Sequence, residues 1–192
     1  QPQNELDELA KAAHSNNLKV HLDGARLFNA HIHTGLTMNQ LTKSFDSVSI
    51  CLSKGLGSPV GSLLIADQLT IDKAHRLRKM LGGGMRQVGV IASCGMYALE
   101  NNIQRLQVDH DNAKLLASGL ASIEELSIEF DDSQTNMVFV NCPELHRAML
   151  EKFLFEKEII VSNLKRGRLV CHLGIEEKDI LFVIDTFKDY FK

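Results

Sequence analysis

The chain has 192 residues, of which 44% are hydrophobic and 23% are charged, and its formal net charge is -3. This length and composition are typical of a globular protein with one large domain or two small ones. The slight negative charge offers no general attraction to nucleic acid or to an anionic membrane. The longest apolar stretch, 88–99, is interrupted by glycine and serine and is too short to span a bilayer.

The cysteines and histidines predict no metal site. The cysteines are widely spaced in apolar contexts and form no C-x-x-C motif, so we expect buried free thiols. They are Cys51, Cys94, Cys142 and Cys171. Free thiols indicate a reducing compartment, so we expect a cytoplasmic protein, in the cytosol or in an organelle matrix. In the motif HIH (31–33) the two histidines lie two residues apart and would face different sides of a helix, which disfavours a shared metal.

The first part of the chain alternates between helical and strand patterns. Leucine and alanine at helical spacing predict a helix over 4–16. The elements predicted after it are a strand over 18–23, a helix over 37–45, strands over 47–53 and 62–66, and a helix over 67–81. This alternation predicts a parallel or mixed sheet covered by helices. The basic cluster HRLRKM (75–80) lies in the last of these helices, and without interleaved aromatic residues it indicates a solvated helix face.

The second part of the chain has a different order of elements. From 86 to about 120 a helical pattern continues for too long to be one sheet-covering helix, so we expect a connecting helix bent near Gly95. The elements predicted beyond it are strands near 126–130 and 136–141, a helix over 144–157, strands near 159–162 and 168–173, and a helix from 176. Paired strands with helices between them predict a smaller α+β domain. We therefore expect two domains, 1–105 and 106–192.

Two of the predicted strands lead to polar residues of opposite charge. Asp23 ends one strand, and Lys54 follows the next strand and opens a glycine-rich loop. In an open α/β sheet, ligands bind beyond the carboxyl ends of the strands. The spacing alone fits a simple salt bridge. It also fits pyridoxal phosphate chemistry, in which a lysine amine bonds to the cofactor's aldehyde carbon and a carboxylate keeps the pyridine nitrogen protonated.

Four motifs carry a family resemblance. HLDGARLFNA (21–30), SICLSKGLGSPVGSLLI (49–65), KMLGGGMRQVG (79–89) and RLVCHLG (168–174) closely resemble the low-specificity L-threonine aldolases of the beta-eliminating lyase/threonine aldolase family. The resemblance implies an α/β, PLP-dependent transferase-like fold (aspartate aminotransferase-like, fold type I), with a partial large domain and a small α+β C-terminal domain. It also implies pyridoxal 5'-phosphate, a small amino-acid substrate and a homotetramer built as a dimer of dimers.

The resemblance assigns a role to each matching residue. Lys54 is the lysine that bonds to the cofactor, and Asp23 is the partner of the pyridine nitrogen. Arg26 lies near the cofactor and the substrate carboxylate, and Arg86 reaches a cofactor phosphate in a neighbouring subunit. Arg168 clamps the substrate carboxylate with its planar guanidinium. The implied reaction is retro-aldol cleavage of L-threonine, L-allo-threonine and related β-hydroxy amino acids to glycine and an aldehyde.

The resemblance also has departures, and two other functions stay open. Gly174 stands where family members commonly have an aspartate. Family members carry a segment ahead of these motifs that supplies a phosphate cup and a ring-stacking histidine, so we expect this chain alone to associate and to show little activity. One alternative is another fold-type-I enzyme, an aminotransferase or a β-eliminating lyase. The other is an inactive, truncated homologue that acts only as a subunit.

Overall fold

The computed structural model of the chain describes residues 1–131, 134–161 and 163–192. These residues form two compact units, Gln1–Gln104 and Arg105–Lys192. Each unit contains one three-stranded sheet within the described residues. No helix in this part of the chain is long and apolar enough to cross a membrane.

The first unit contains five helices and three strands among its described residues. They are α1 (Gln3–Ser15), β1 (His21–Asp23), α2 (Leu27–Thr34), α3 (Met38–Thr42), β2 (Ser47–Cys51), β3 (Ser62–Ala66), α4 (Gln68–Met80) and α5 (Gly89–Asn101). The sequence prediction missed α2 and made β1 three residues too long at its start. Local side chains fix some helix starts: the Thr37 hydroxyl and the Gln40 side chain form a capping box at α3, and Asp67 caps α4.

The sheet of the first unit is mixed, with the order β1-β2-β3. β1 runs parallel to β2, with Asp23 opposite Ser49, and β3 runs antiparallel to β2. Val48 and Ile50 alternate inward along β2 and join Leu27 and Leu41 in a small buried cluster. This cluster anchors α2 and α3 against one face of the sheet.

The second unit is an α+β unit. Its elements are α6 (Leu106–Leu120), β4 (Ser127–Glu129), β5 (Met137–Asn141), α7 (Glu144–Glu156), β6 (Gly167–Val170) and α8 (Glu177–Tyr190). The strands pair antiparallel in the order β4-β5-β6. α6 contacts both α8 and β5, and the core between them includes Leu120, Val140 and Phe187, all fully buried.

Two further predictions about secondary structure were wrong. The helical pattern from 86 to about 120 is two helices, α5 and α6, separated at 102–105 rather than bent at Gly95. Gly95 lies within α5, where a Cβ would come 2.9 Å from Cδ1 of Leu52, so this glycine allows close packing. Residues 159–161 do not form the predicted strand, and residue 162 lies outside the described residues.

The cysteines are free, but only two of them are buried. Cys142 and Cys171 lie in the core of the second unit, whereas Cys51 and Cys94 are half-buried in the first unit. Burial raises the pKa of Cys142. Burial, assisted by the nearby Asp109 carboxylate, raises the pKa of Cys171 to about 12. Both core thiols are therefore held in the unreactive, protonated form at neutral pH.

Candidate active site

The candidate site lies beyond the carboxyl ends of two neighbouring strands. β1 and β2 are parallel, so their carboxyl ends lie at the same edge of the sheet. Asp23 is the last residue of β1, and Lys54 follows three residues after the end of β2. Both residues are exposed. The fold therefore presents a carboxylate and an amine from adjacent strands at one sheet edge.

Gly24 sets the position of the Asp23 carboxylate. Its backbone N–H donates to the carbonyl of Ser49 at 2.8 Å, and a Cβ at residue 24 would lie 2.8 Å from the same oxygen. A side chain would therefore push β1 away from β2. The N–H of Ala25 then donates to Oδ1 of Asp23 at 3.1 Å, which holds the carboxylate at the start of the turn.

The loop after β2 is ordered by its own backbone. The N–H of Gly57 donates to the carbonyl of Lys54 at 2.8 Å, and the N–H of Ser58 donates to the carbonyl of Leu52 at 3.0 Å. Gly57 and Gly61 have φ angles of 73° and 122°, which other residues rarely adopt. The loop thus has a defined path with little side-chain bulk around Lys54.

The Lys54 side chain is available for chemistry. Within the described residues it takes part in no ion pair, and the salt bridge with Asp23 that the spacing allowed is not formed. Arg26 lies three residues after Asp23, at the boundary where α2 begins, and is half-buried. Its neighbour Leu27 is buried in the core, so the start of this helix is anchored beside the sheet edge.

Arg86 lies in a basic cleft that the sequence prediction missed. α4 ends in a Schellman motif, in which the N–H of Gly83 donates to the carbonyl of Arg78 at 2.8 Å and Gly82 has a φ of 84°. The turn folds back so closely that a Cβ at Gly84 would lie 2.6 Å from Cδ of Lys79. The resulting cleft has a volume of about 540 Å³ and is lined by His75, Arg76, Arg78, Lys79, Met80, Gly84, Met85 and Arg86.

The residues of the cluster HRLRKM are exposed on α4, as expected for a solvated helix face. Four of its basic side chains share a concave surface with Arg86. None of these five side chains takes part in an ion pair within the residues that the structure describes. The sequence does contain a signal for this cleft. The glycine triplet 82–84 lies only a few residues after the cluster, and it lets the chain fold back so that Arg86 lies against the end of α4.

Arg168 belongs to the second unit. It lies on β6 opposite Phe139 of β5, and its side chain is exposed. It lines a groove of about 630 Å³ within this unit, together with residues of 157–161 and of α8. Asp23 and Lys54 therefore follow adjacent strands of the first unit, Arg26 lies at the start of α2 in the same unit, and Arg168 is placed by a different sheet.

The side chains at the sheet edge fit pyridoxal phosphate. An exposed primary amine suits the aldehyde carbon, and a carboxylate from the neighbouring strand suits the ring nitrogen. The glycines of the loop that follows Lys54 add no side-chain bulk at this edge of the sheet. The guanidinium of Arg86, which forms no ion pair with the described residues, suits a phosphate.

Comparison with known proteins decides the family, since residues 1–143 match the family model described as beta-eliminating lyase. The chain belongs to the beta-eliminating lyase family. It is 40% identical over 187 residues to low-specificity L-threonine aldolase 1 of Arabidopsis thaliana, with 95% of this chain and 52% of that protein covered. It is 42% identical over 179 residues to the low specificity L-threonine aldolase of Escherichia coli strain K12, with 93% and 53% covered.

A solved structure confirms the fold expected for this beta-eliminating lyase chain. It is an Exiguobacterium protein provisionally assigned as an aromatic amino acid beta-eliminating lyase/threonine aldolase, and the TM-score is 0.82 at 18% identity. The match covers 100% of this chain and 58% of that one. The chain spans about half the length of the curated relatives it matches.

Proposed function

We propose that the protein carrying this chain is a pyridoxal-phosphate-dependent lyase. It cleaves L-threonine, L-allo-threonine and related β-hydroxy amino acids to glycine and an aldehyde, which is acetaldehyde for threonine. One observation carries the proposal: in a chain of this family, Asp23 ends β1 and Lys54 follows the adjacent parallel strand β2, so both stand at the same edge of the sheet. The names of the relatives support the choice of a threonine aldolase among lyases.

The two residues at the sheet edge have distinct tasks. Lys54 supplies the primary amine that holds the cofactor, and the glycines of its loop leave room for a ring beside it. Asp23 accepts a hydrogen bond from the ring nitrogen and keeps a proton on that atom. When bound, pyridoxal phosphate supplies the electron sink for the pair of electrons released as the Cα–Cβ bond breaks. The Asp23 carboxylate therefore raises the rate of bond cleavage, whereas the Lys54 amine is required for any turnover.

The arginines bind and orient the anionic groups. The role proposed for Arg168 is to hold the substrate carboxylate through its planar guanidinium, and the role proposed for Arg26 is to lie near the cofactor and the substrate carboxylate. Arg86 reaches a cofactor phosphate in a neighbouring subunit, which places this residue in an interface of the proposed homotetramer. The basic cleft around Arg86 supports an anionic ligand there, because the cleft gathers five cationic or ionisable side chains.

The proposal includes a cellular role. Cleavage of threonine serves threonine catabolism and supplies glycine. We place the protein in the cytosol, because none of its four free cysteines forms a disulfide in the described residues. Fractionation of cells that produce the protein tests this location.

The test of the activity follows both products. The protein that carries this chain is incubated with L-threonine, and glycine and acetaldehyde are measured beside keto-acid formation. Borohydride reduction followed by peptide mapping should locate the pyridoxyl label on Lys54. Lys54→Ala should lower turnover by about 10³-fold or more, whereas Lys11→Ala, an exposed lysine on α1, should leave it unchanged.

Each contrary result points to a different function. Keto acid without acetaldehyde would indicate an aminotransferase. A protein that shows no absorbance change on addition of the cofactor would indicate a subunit without chemistry. A label on a lysine other than Lys54 would overturn the site assignment while leaving the reaction open.

A further inference from the structure

Arg168 lies on a strand whose register decides where its side chain points. β6 is an edge strand of its sheet within the described residues and pairs only with β5, from Gly167 opposite Val140 to Val170 opposite Met137. Leu169 packs against the core, so Arg168 projects from the other face. A slip of one residue would turn the guanidinium toward the core. A contact at the end of β6 is therefore needed to hold its pairing register with β5.

Asn136 provides that fixation from the position just before β5. Its carbonyl accepts a hydrogen bond from the N–H of Cys171 at 2.9 Å, and its side-chain Nδ2 donates to the carbonyl of Cys171 at 2.8 Å. The side chain thus takes the place of a backbone donor and extends the pairing by one residue beyond Val170. The hydroxyl of Thr135 makes only a long contact of 3.4 Å with Oδ1 of Asn136.

Both partners of this contact are buried. Asn136 is 2% exposed and Cys171 is 2% exposed. Water cannot replace the amide at such a site, so the carbonyl of Cys171 depends on the Asn136 side chain. Thr135 adopts a φ of 55°, which turns the chain out of the strand direction and leaves the side chain of Asn136 as the donor.

A second asparagine offers a matched comparison. Asn112 of α6 is 4% exposed, and its Nδ2 donates to the carbonyl of Ile175 at 3.1 Å. This bond has the same chemistry as the one between Asn136 and Cys171. However, it holds the chain after the turn 172–174 and not the end of β6. Asn112 therefore anchors the same segment without setting the register of Arg168.

We propose that Asn136 is a positioning residue for Arg168: its side-chain amide, bonded to Cys171, fixes the register of β6 and so the place of the guanidinium. The inference rests on the proposed function, in which Arg168 holds the substrate carboxylate. It assigns a positioning role to a residue that is only 2% exposed.

The kinetic test uses the protein that carries this chain and L-threonine as substrate. Asn136→Ala should raise KM on the order of tenfold while kcat changes by less than about threefold. Asn112→Ala, the matched control, should leave KM within about twofold. If Asn136→Ala does not fold, Asn136→Ser, which is smaller and reaches Cys171 less well, is measured in its place with the same expectation.

A double-mutant cycle separates positioning from general destabilisation. In the background Arg168→Lys, the change Asn136→Ala should alter KM by less than about twofold, since the residue that it positions is already impaired. An equal rise in KM in both backgrounds would overturn the proposal. Wild-type kinetics in Arg168→Lys would instead contradict the proposed role of Arg168 itself, and absence of threonine cleavage would contradict the proposed function.

The thiol of Cys171 gives a readout that does not need activity. Alkylation of each cysteine is followed by peptide mass spectrometry, with Cys51 of the first unit as the internal reference. Labelling of Cys171 should accelerate on the order of tenfold or more in Asn136→Ala as the end of β6 opens. Labelling at the wild-type rate would show that Asn136 does not hold this strand end, and it would overturn the proposal even if KM rises.

Discussion

The two units bury their apolar side chains to very different extents. Among the described residues, the second unit has one continuous core of sixteen buried residues, whereas the main cluster of the first unit has four. Of the twenty-three large apolar side chains exposed among the described residues, fifteen lie in the first unit. They include Leu63, Leu64 and Ile65 of β3, and α4 buries none of its residues.

Because the two cores differ in size, the residues proposed to bind the cofactor and the residues that stabilise the fold lie mostly in different units. The proposed catalytic side chains Asp23, Lys54 and Arg86 are exposed and stand on the unit with the smaller core. Substitutions there should change chemistry with little effect on folding. Substitutions of the buried apolar side chains of the second unit should chiefly change folding. The predictions below test this contrast, and the chain offers one tyrosine in each unit, Tyr97 and Tyr190, as a reporter without interference from tryptophan.

The largest effect is expected in the core of the second unit. Phe187 of α8 is fully buried, so Phe187→Ala should lower the free energy of unfolding of this unit by about 4 kcal/mol. Phe182→Ala on the same helix is the control, because Phe182 is 53% exposed and its loss should cost less than about 0.5 kcal/mol. Urea unfolding followed by Tyr190 fluorescence in a Tyr97→Phe background measures both. Equal costs would contradict the contrast between core and surface.

The next effect comes from an ion pair at the start of the second unit. Arg105 donates to both oxygens of Asp109, at 2.5 Å and 3.3 Å, and the Asp109 side chain is 0% exposed while that of Arg105 is 21% exposed. Arg105→Ala leaves a buried carboxylate without its main partner and should cost about 3 kcal/mol of unfolding free energy.

Asp109→Asn should cost less, about 1 kcal/mol, because the remaining guanidinium can reach water and the amide keeps its shape. The same Tyr190 unfolding experiment compares the two variants. A larger loss for Asp109→Asn than for Arg105→Ala would show that burial of the carboxylate does not decide the energetics here.

The first unit should respond in the opposite way. Asp23→Asn keeps the shape of the side chain but removes the charge that holds a proton on the ring nitrogen, so kcat for threonine should fall on the order of 10²-fold. Unfolding followed by Tyr97 fluorescence should hardly change, since Asp23 is exposed. Asp72→Asn, an exposed carboxylate on α4, is the matched control for both measurements. A near-normal kcat in Asp23→Asn would make this carboxylate structural.

Local patterns were sufficient to place Asp23 and Lys54 beyond the ends of neighbouring strands. Asp23 and Lys54 each end an apolar run and are followed by glycine, so short-range sequence placed both at strand ends. The family motifs then assigned their roles. These features depend on residues within a few positions of each other, so they could be predicted from the sequence alone.

Features that depend on distant contacts were not predicted. The break between α5 and α6 was not predicted, because helical spacing continues on both sides of 102–105. Gly95 looked like a bend because its packing against Leu52 is non-local. The bond between Asn136 and Cys171 joins positions 35 residues apart, and nothing near Asn136 in the sequence indicates it. The basic cleft required knowledge of how closely the glycine turn approaches α4.

The smallest expected effect concerns the loop that joins α1 to β1. The Asp46 carboxylate accepts hydrogen bonds from Lys19 Nζ at 2.6 Å and from the N–H of Val20 at 2.8 Å, and it contacts Nε2 of His14 at 2.9 Å. The bond from Lys19, followed by those from Val20 and His14, lowers the pKa of Asp46 well below its usual range.

A lowered pKa in the folded state means that folding favours the ionised carboxylate. Its contribution to stability is therefore complete above the ordinary aspartate pKa of about 4 and is lost as the pH falls through the lower folded value. Asp46→Asn should reduce the melting temperature of the first unit by a few degrees at pH 7, and the difference from the wild type should shrink steadily below about pH 4. Melting curves of Tyr97 fluorescence in a Tyr190→Phe background, recorded from pH 7 to pH 2, measure this difference.

Because the pair with Lys19 is open to solvent, added salt should weaken part of the effect, while the bond from Val20 should persist. A difference between wild type and Asp46→Asn that stays constant down to pH 2 would mean that the charge of Asp46 contributes nothing and that only its shape matters to this loop.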